Sequence, residues 1–313
     1  MKKSNPNSSE FDTVFFANRS IEYAFIPKSI KFIESTAFYR CKCLECVEFS
    51  EDSELQKISK FAFYSSTIQS IKIPKSVCEI GVDAFFQCYQ LQEVIIEEGS
   101  KLEEISANLF YECNDLTIIH LPEDCSLKKI SSAPFCETLI EILFIPANVE
   151  ELEEGWCYST PELKEVVISS KNKHFKYLNQ DHQIIVKKSD LNAENFDTIV
   201  FANRNIKTAI IPKTIKYIES CAFENCQQLE FFDIPEDSQL ENIGEDAFSY
   251  SSIKSFIIPK NMKKIGKIFL YCSYLESLEF QGDLLNDDLY FLGHCFNLRI
   301  ISFPNVQKMK ICD

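Results

Sequence analysis

The chain repeats itself at two scales, and that repetition limits its possible folds more than any single motif does. Residues 27–38, PKSIKFIESTAF, return at 212–223 as PKTIKYIESCAF. Residues 11–81 align without a gap to 196–266, with 37 of 71 positions identical. The match reaches back to KKS at 2–4 and 187–189, so residues 2–81 recur at 187–266. A catalytic motif seldom recurs this way, whereas a structural unit does.

A shorter period lies inside the duplication. The apolar residue that closes each L-x-x-I-x-I run falls at Ile26, Phe49, Ile73, Ile96, Leu121, Ile145, Ile168, Ile211, Ile234, Ile258, Phe280 and Phe303. The spacings are 22 to 25 residues, apart from one interval of 43. The segment IPKSVCEIGVDAFFQCYQLQEVII (73–96) shows one full cycle. Its L-x-x-I-x-I run reads as a strand, and the Pro that follows cannot donate to a ladder, so pairing stops there. Val77 and Ile80, three apart, mark a second short extended piece pointing inward. The AFxxC piece is too short for a stable helix and predicts a 3₁₀-like turn. One such coil cannot bury its own apolar side, but stacked coils can.

The cycle I-P-x-x-V-x-x-I-G-x-x-A-F-x-x-C-x-x-L-x-x-I-x-I resembles the leucine-rich repeats of Bacteroides surface protein A-like (BspA-like) proteins, which occur in bacteria and are expanded in parasitic protists. The resemblance implies a right-handed, curved leucine-rich repeat solenoid with one parallel strand per coil, short second strands and few true helices. It also implies a protist-type surface antigen, with a role in adhesion or host-protein binding. The expected layout is a single solenoid: a first array at 11–168, an irregular island at 169–195 and a second array at 196–313. FKYLNQDHQIIV within the island predicts a hairpin turning at Asn179–Asp181. The Gly after the apolar pair stands at Gly81, Gly244 and Gly266 but is Glu34, Ser59 and Ser106 elsewhere.

Composition narrows the function classes. Of 313 residues, 45% are hydrophobic, enough for a core, and the net charge of −15 is spread along the chain. Nucleic-acid binding needs clustered Lys and Arg, and the acidic balance disfavours an anionic membrane surface. The first ten residues hold no apolar signal core, and no run approaches 18 apolar residues, so direct membrane insertion is not expected. These features suggest a soluble, cytoplasmic chain, while the resemblance suggests the cell surface. Of 14 cysteines, Cys41, Cys88, Cys113, Cys226, Cys272 and Cys295 share the AFxxC slot, which also accepts Ser159. A slot shared with serine is a small buried space, so reduced core thiols are expected. CKCLEC (Cys41, Cys43, Cys46) is the best metal candidate, yet Cys41 belongs to the core slot and no second C-x-x-C follows at zinc spacing. No local signature surrounds His120, His174, His182 or His294, so no enzyme, metal or cofactor is expected.

In an L-x-x-I-x-I strand the capitals point inward and the intervening positions face outward. The outward positions of the middle coils are unexpectedly apolar. Ile95, Ile118, His120, Ile142, Phe144 and Val167 form the candidate protein-binding face, bordered by Glu93, Glu141 and Glu165. The leading reading is a non-enzymatic protein-binding module. The alternative is a structural repeat protein inside the cell that self-associates through uncapped solenoid ends, such as the last coil, FPNVQKMKICD.

Overall fold

The computed structural model describes residues 2–3, 11–190, 192–282, 292–303 and 306–310. Asn7, Cys312 and part of the last coil lie outside the described residues. The fold is a parallel β-solenoid of about twelve turns, and no helix occurs among the described residues. Hence none is long and apolar enough to cross a membrane. The chain divides into two compact units, 1–173 and 174–313.

Each coil is built as its residues dictate. In the first unit the long strands Tyr23–Ile26, Cys46–Phe49, Ser70–Ile73, Glu93–Ile96 and Ile118–His120 form one parallel sheet. Ile142–Ile145 and Glu165–Ile168 pair in the same sense. Alternation puts Ile71, Val94 and Leu143 inside and their neighbours outside. Pro then ends the strand, and the chain turns, as where the Val77 N–H donates to Pro74 O at 3.0 Å. A two-residue strand follows in each coil. Phe32–Ile33, Lys57–Ile58 and Glu79–Ile80 stack in parallel with Ile33, Ile58 and Ile80 in register. Glu104–Ile105, Lys129–Ile130 and Glu151–Leu152 continue the pattern.

The turns after the short strands carry the i→i−3 hydrogen bonds of a 3₁₀ turn: Ala37 N–H to Glu34 O, Tyr39 N–H to Thr36 O and Cys41 N–H to Phe38 O. They do not wind into a helix, because a left-handed residue interrupts them twice per coil. Thr36 and Arg40 have φ of 62° and 53°, and Asp83 and Gln87 repeat this at 57° and 58°. The left-handed residues turn backbone donors toward the next coil. Arg40 N–H reaches Tyr64 O and Gln87 N–H reaches Tyr111 O, both at 2.8 Å. At Gly81 a close approach of backbones fixes the residue, since an added Cβ would stand 2.4 Å from Lys60 N.

The AF pairs fill the interior. Phe38, Phe63 and Phe85 stack at 4.8 and 5.0 Å, and Phe223 and Phe248 at 5.1 Å, all buried. Beside them lies the thiol column. Cys88 Sγ donates to Phe63 O at 3.1 Å, Cys113 Sγ to Phe85 O at 3.2 Å and Cys272 Sγ to Phe248 O at 3.0 Å. Each thiol thus tethers its coil to the preceding phenylalanine carbonyl, and burial pushes the Cys113 thiol well up. Ser159 is not in this slot: it is left-handed at φ 50°, and its hydroxyl donates to Glu137. Thr160 is the buried occupant, with its hydroxyl on Cys157 O at 2.8 Å. Thr160, three residues before Leu163, keeps the spacing of Cys41 to Leu44, in a coil that carries Trp156–Cys157 where most others carry AF.

The second unit begins with an antiparallel hairpin, Phe175–Tyr177 against Ile184–Lys187. Ile184–Lys187 pairs antiparallel with Thr198–Ala202, which then starts a parallel ladder through Tyr217–Ile218, Asn242–Ile243 and Lys264–Ile265. Its long strands, Thr208–Ile210 with Phe231–Asp233 and Ser255–Ile258 with Ser277–Phe280 and Ile300–Phe303, are parallel too. Strand Val306–Lys310 pairs antiparallel with Ile300–Phe303.

Candidate functional site

The outward positions of the long strands in the first unit make two rows. Glu93 pairs with Ile118, and Ile142 with Glu165, in one row. Lys72, Ile95 and His120, then Phe144 with Val167, make the other. Ile118 and Ile142 are 44% and 57% exposed. His120 is also exposed, while Ile95, Phe144 and Val167 are half-buried. All six candidate residues therefore stand on the solvent side of strands whose alternate residues are core.

The rim is acidic but partly paired. His120 Nε2 lies 3.5 Å from Glu93 Oε1, an ion pair only when the imidazole is protonated. Lys164 Nζ lies 2.6 Å from Glu141. Ile95 and His120 also border a hollow of about 570 Å³ together with Lys72, Lys75, Glu97 and Pro122. Burial pushes the Glu97 carboxyl up, but Lys72 at 2.9 Å and the Lys75 N–H at 3.0 Å outweigh it and hold the carboxyl below its usual range. The arrangement offers an apolar strip with charged edges and no activated nucleophile.

Other motifs fall elsewhere. Cys41 is buried and points to Asn18 O at 3.8 Å, Cys43 is exposed and Cys46 is half-buried on a strand. His182 stacks on Tyr177 at 4.2 Å and His294 on Tyr271 at 4.4 Å, both as aromatic partners.

Two surface features escaped the sequence reading. A groove of about 930 Å³ follows the short strands of the first unit, lined by Lys57, Glu79, Glu104, Lys129 and Glu153 among others. Lys57 pairs with Glu79 at 2.6 Å, and Lys129 with Glu153 at 3.3 Å. Burial pushes the Glu153 carboxyl up, but the Ser132 N–H at 2.8 Å and Lys129 outweigh it and hold the carboxyl low. Its signal was the charged residue before the inward residue of most short strands, as at Lys57, Glu79, Glu104, Lys129 and Glu151. The second feature is a half-buried stack of Tyr39, Tyr64, Phe86 and Tyr111, with centroids 5.2, 5.2 and 4.9 Å apart. Its signal was an aromatic residue directly after the AF or LF pairs at 37–38, 62–63, 84–85 and 109–110.

A family model described as the BspA type leucine rich repeat region matches residues 9–101, 56–180 and 194–311, in six copies. Among solved structures, a leucine-rich cell surface protein from Faecalibacterium prausnitzii superposes with a TM-score of 0.68 at 21% identity, covering 92% of this chain and 80% of that one. The pneumococcal vaccine antigen PcpA gives 0.65 at 22%, covering 96% and 73%. A leucine-rich repeat protein from Eubacterium ventriosum gives 0.60 at 19%, covering 91% and 67%. At these identities the likeness is one of fold. No curated protein matches significantly.

Proposed function

Because the chain belongs to the BspA-type leucine-rich repeat family, we propose that it is a non-catalytic module that binds a partner protein through the outward face of its long strands. Ile95, Ile118, His120, Ile142, Phe144 and Val167 centre that face. The observation that carries the reading is the exposure of two isoleucines, Ile118 and Ile142, side by side in the repeat on strands held rigid by the core. An exposed apolar strip with a charged rim suits protein recognition, because apolar burial supplies affinity and the rim supplies register. The carboxylates Glu93, Glu141 and Glu165 favour a partner with basic residues around an apolar centre.

The finer reading is a surface antigen or adhesin of the protist type. Two structurally similar proteins support the surface role, one a cell surface protein and the other a vaccine antigen. Phe144→Arg is a compromised probe because that side chain is half-buried, so Ile142→Arg is the cleaner test. Affinity capture with the native chain should retain a partner that Ile142→Arg loses by at least about tenfold, the ~1.4 kcal/mol of one hot-spot contact. The melting temperature should stay within the range of a surface substitution. Undiminished capture by Ile142→Arg would place the partner on another surface.

A further inference from the structure

The AFxxC slots of successive turns form a column, and its order is the same in both units. In the first it runs Cys41, Ser66, Cys88, Cys113, and in the second Cys226, Ser251, Cys272, Cys295. Each series thus sets two cysteines in successive coils, 25 residues apart in the first and 23 in the second. Cys41 and Cys226 instead have a serine as the next rung. Successive rungs touch: Ser66 Oγ lies 3.5 Å from Cys88 Sγ, and Ser251 Oγ lies 3.7 Å from Cys272 Sγ. The Cys88 and Cys113 side chains are likewise in hydrogen-bond contact, as are those of Cys272 and Cys295, and all four stand as free thiols.

The backbone holds both couples in place. Gln87 N–H donates to Tyr111 O at 2.8 Å and Tyr271 N–H to Gly293 O at 2.7 Å, one or two residues before the cysteines. Backbones paired in this way stand about 4.8 Å apart, within the ~4.4–6.8 Å that separates the Cα atoms of a disulfide. Closing the bond in the first unit also orphans no acceptor. Phe63 O and Phe85 O, which the two thiols engage, keep the Ser66 N–H at 2.9 Å and the Cys88 N–H at 3.1 Å.

We propose that Cys88–Cys113 and Cys272–Cys295 are two oxidation sites, each closing into a disulfide that clamps one coil to the next when the chain meets a small-molecule disulfide such as oxidised glutathione. One thiolate attacks a glutathione sulfur, a protein–glutathione bond forms and a glutathione thiolate leaves. The neighbouring thiolate then attacks the protein sulfur of that mixed disulfide and expels the second glutathione. The protein gives up two electrons and two protons, and the oxidant takes them up as two thiols. Cys88 and Cys113 are 0% exposed, so their exchange occurs during folding or follows local opening of the turns. Each bond restricts the unfolded chain and so favours the folded one. A solenoid clamped in this way suits an oxidising exterior, and the clamp does not depend on what the long-strand face binds.

The test equilibrates the full chain in a glutathione redox buffer, once from the native state and once from denaturant. Free thiols are then alkylated and the peptides mapped by mass spectrometry. Both starting points should end with Cys88 bonded to Cys113 and Cys272 to Cys295, and with the other cysteines alkylated. The oxidised chain should melt roughly 5 °C or more above the reduced one. Cys113→Ser should fold, because serine already fills this slot at Ser66 and Ser251, and it should lose the first bond while keeping the second. Either couple left alkylated from both starting points, or bonds spread among other cysteines, would overturn the proposal. So would an oxidised chain that melts no higher than the reduced one, since the bonds would then strain the turns they join.

Discussion

A phenylalanine in the AF slot has the same environment in coil after coil, and this makes one substitution informative about many. Phe85 lies between Phe63 at 5.0 Å and Phe110 at 5.6 Å and is fully buried. Its neighbours are fixed by backbone bonds on both sides, with Phe85 N–H donating to Leu109 O and Phe63 N–H to Ala84 O. They cannot collapse far into a vacancy, so Phe85→Ala should cost about 3–5 kcal/mol through lost burial and the cavity left behind. Chemical denaturation of the variant measures this, and a loss under about 1 kcal/mol would mean the ladder relaxes freely. The same slot shows how much the sequence reveals at this scale. AF, the adjacent cysteine and the inward isoleucines were legible because a repeated apolar residue at a fixed offset has one physical use. Phe15 and Phe16 were not, because nothing in FDTVFF differs in kind from FDTIVF. What distinguishes them is that Phe15 and Phe16 are exposed where Val200 and Phe201 are buried, and that is a tertiary fact.

At the scale of the element, strands were easier to read than turns. Val77 with Ile80, and the Pro after each long strand, located both strand types, and the outward rows followed from the two-residue alternation. The turns carried the expected i→i−3 bonds, but their left-handed positions left little mark on the sequence. Thr36, Phe61, Asp83, Asn108, Ala133 and Cys221 share the site just before the Ala, Leu or Pro of each turn, and they have no side-chain chemistry in common. The requirement comes from the ladder to the next coil, which rewards the conformation without specifying a residue. This implies stored strain, greatest where the residue is β-branched. Thr36 has φ 62° and is exposed, so its side chain contributes little packing to set against the strain. The left-handed conformation costs an L-residue about 1–2 kcal/mol, while glycine costs about 0.5–1 kcal/mol in unfolded-state entropy. Thr36→Gly should therefore stabilise the chain by up to about 1 kcal/mol, whereas Ala37→Gly, buried next door, should destabilise it. A lower melting temperature for Thr36→Gly would show that the threonine makes a compensating bond.

For the whole molecule, the net charge of −15 coexists with a set of cation–carboxylate pairs that link one coil to the next. Lys28 meets Asp52 at 2.7 Å and Lys72 meets Glu97 at 2.9 Å in the first unit; Lys213 meets Asp237 at 2.9 Å in the second. These pairs are solvent-exposed, and individually each contributes little. Their pH dependence is nevertheless of one sign. Hydrogen bonding to Lys28 holds Asp52 below the usual carboxylate range, and Lys213 does the same for Asp237. At Glu97 and Glu153 burial opposes the shift, but the cations and backbone N–H groups prevail and those carboxyls are held low as well. A carboxyl with a depressed folded-state pKa binds fewer protons folded than unfolded, so stability rises with pH across the interval between the two values. The contribution is fully present above the unfolded values, near 3.9 for Asp and 4.3 for Glu, and is lost as pH falls through the folded ones. Relief of repulsion among the excess acids acts in the opposite direction, but those charges are spread along the chain and screened within about 8–10 Å, whereas the pairs are in contact. The melting temperature should thus be level from about pH 6 to 5 and fall steadily below about pH 4. Lys28→Met and Lys213→Met should each flatten that fall. A melting temperature that rises on acidification from pH 5 to 3 would show that charge repulsion, and not the coil-to-coil pairs, dominates the electrostatics of this solenoid.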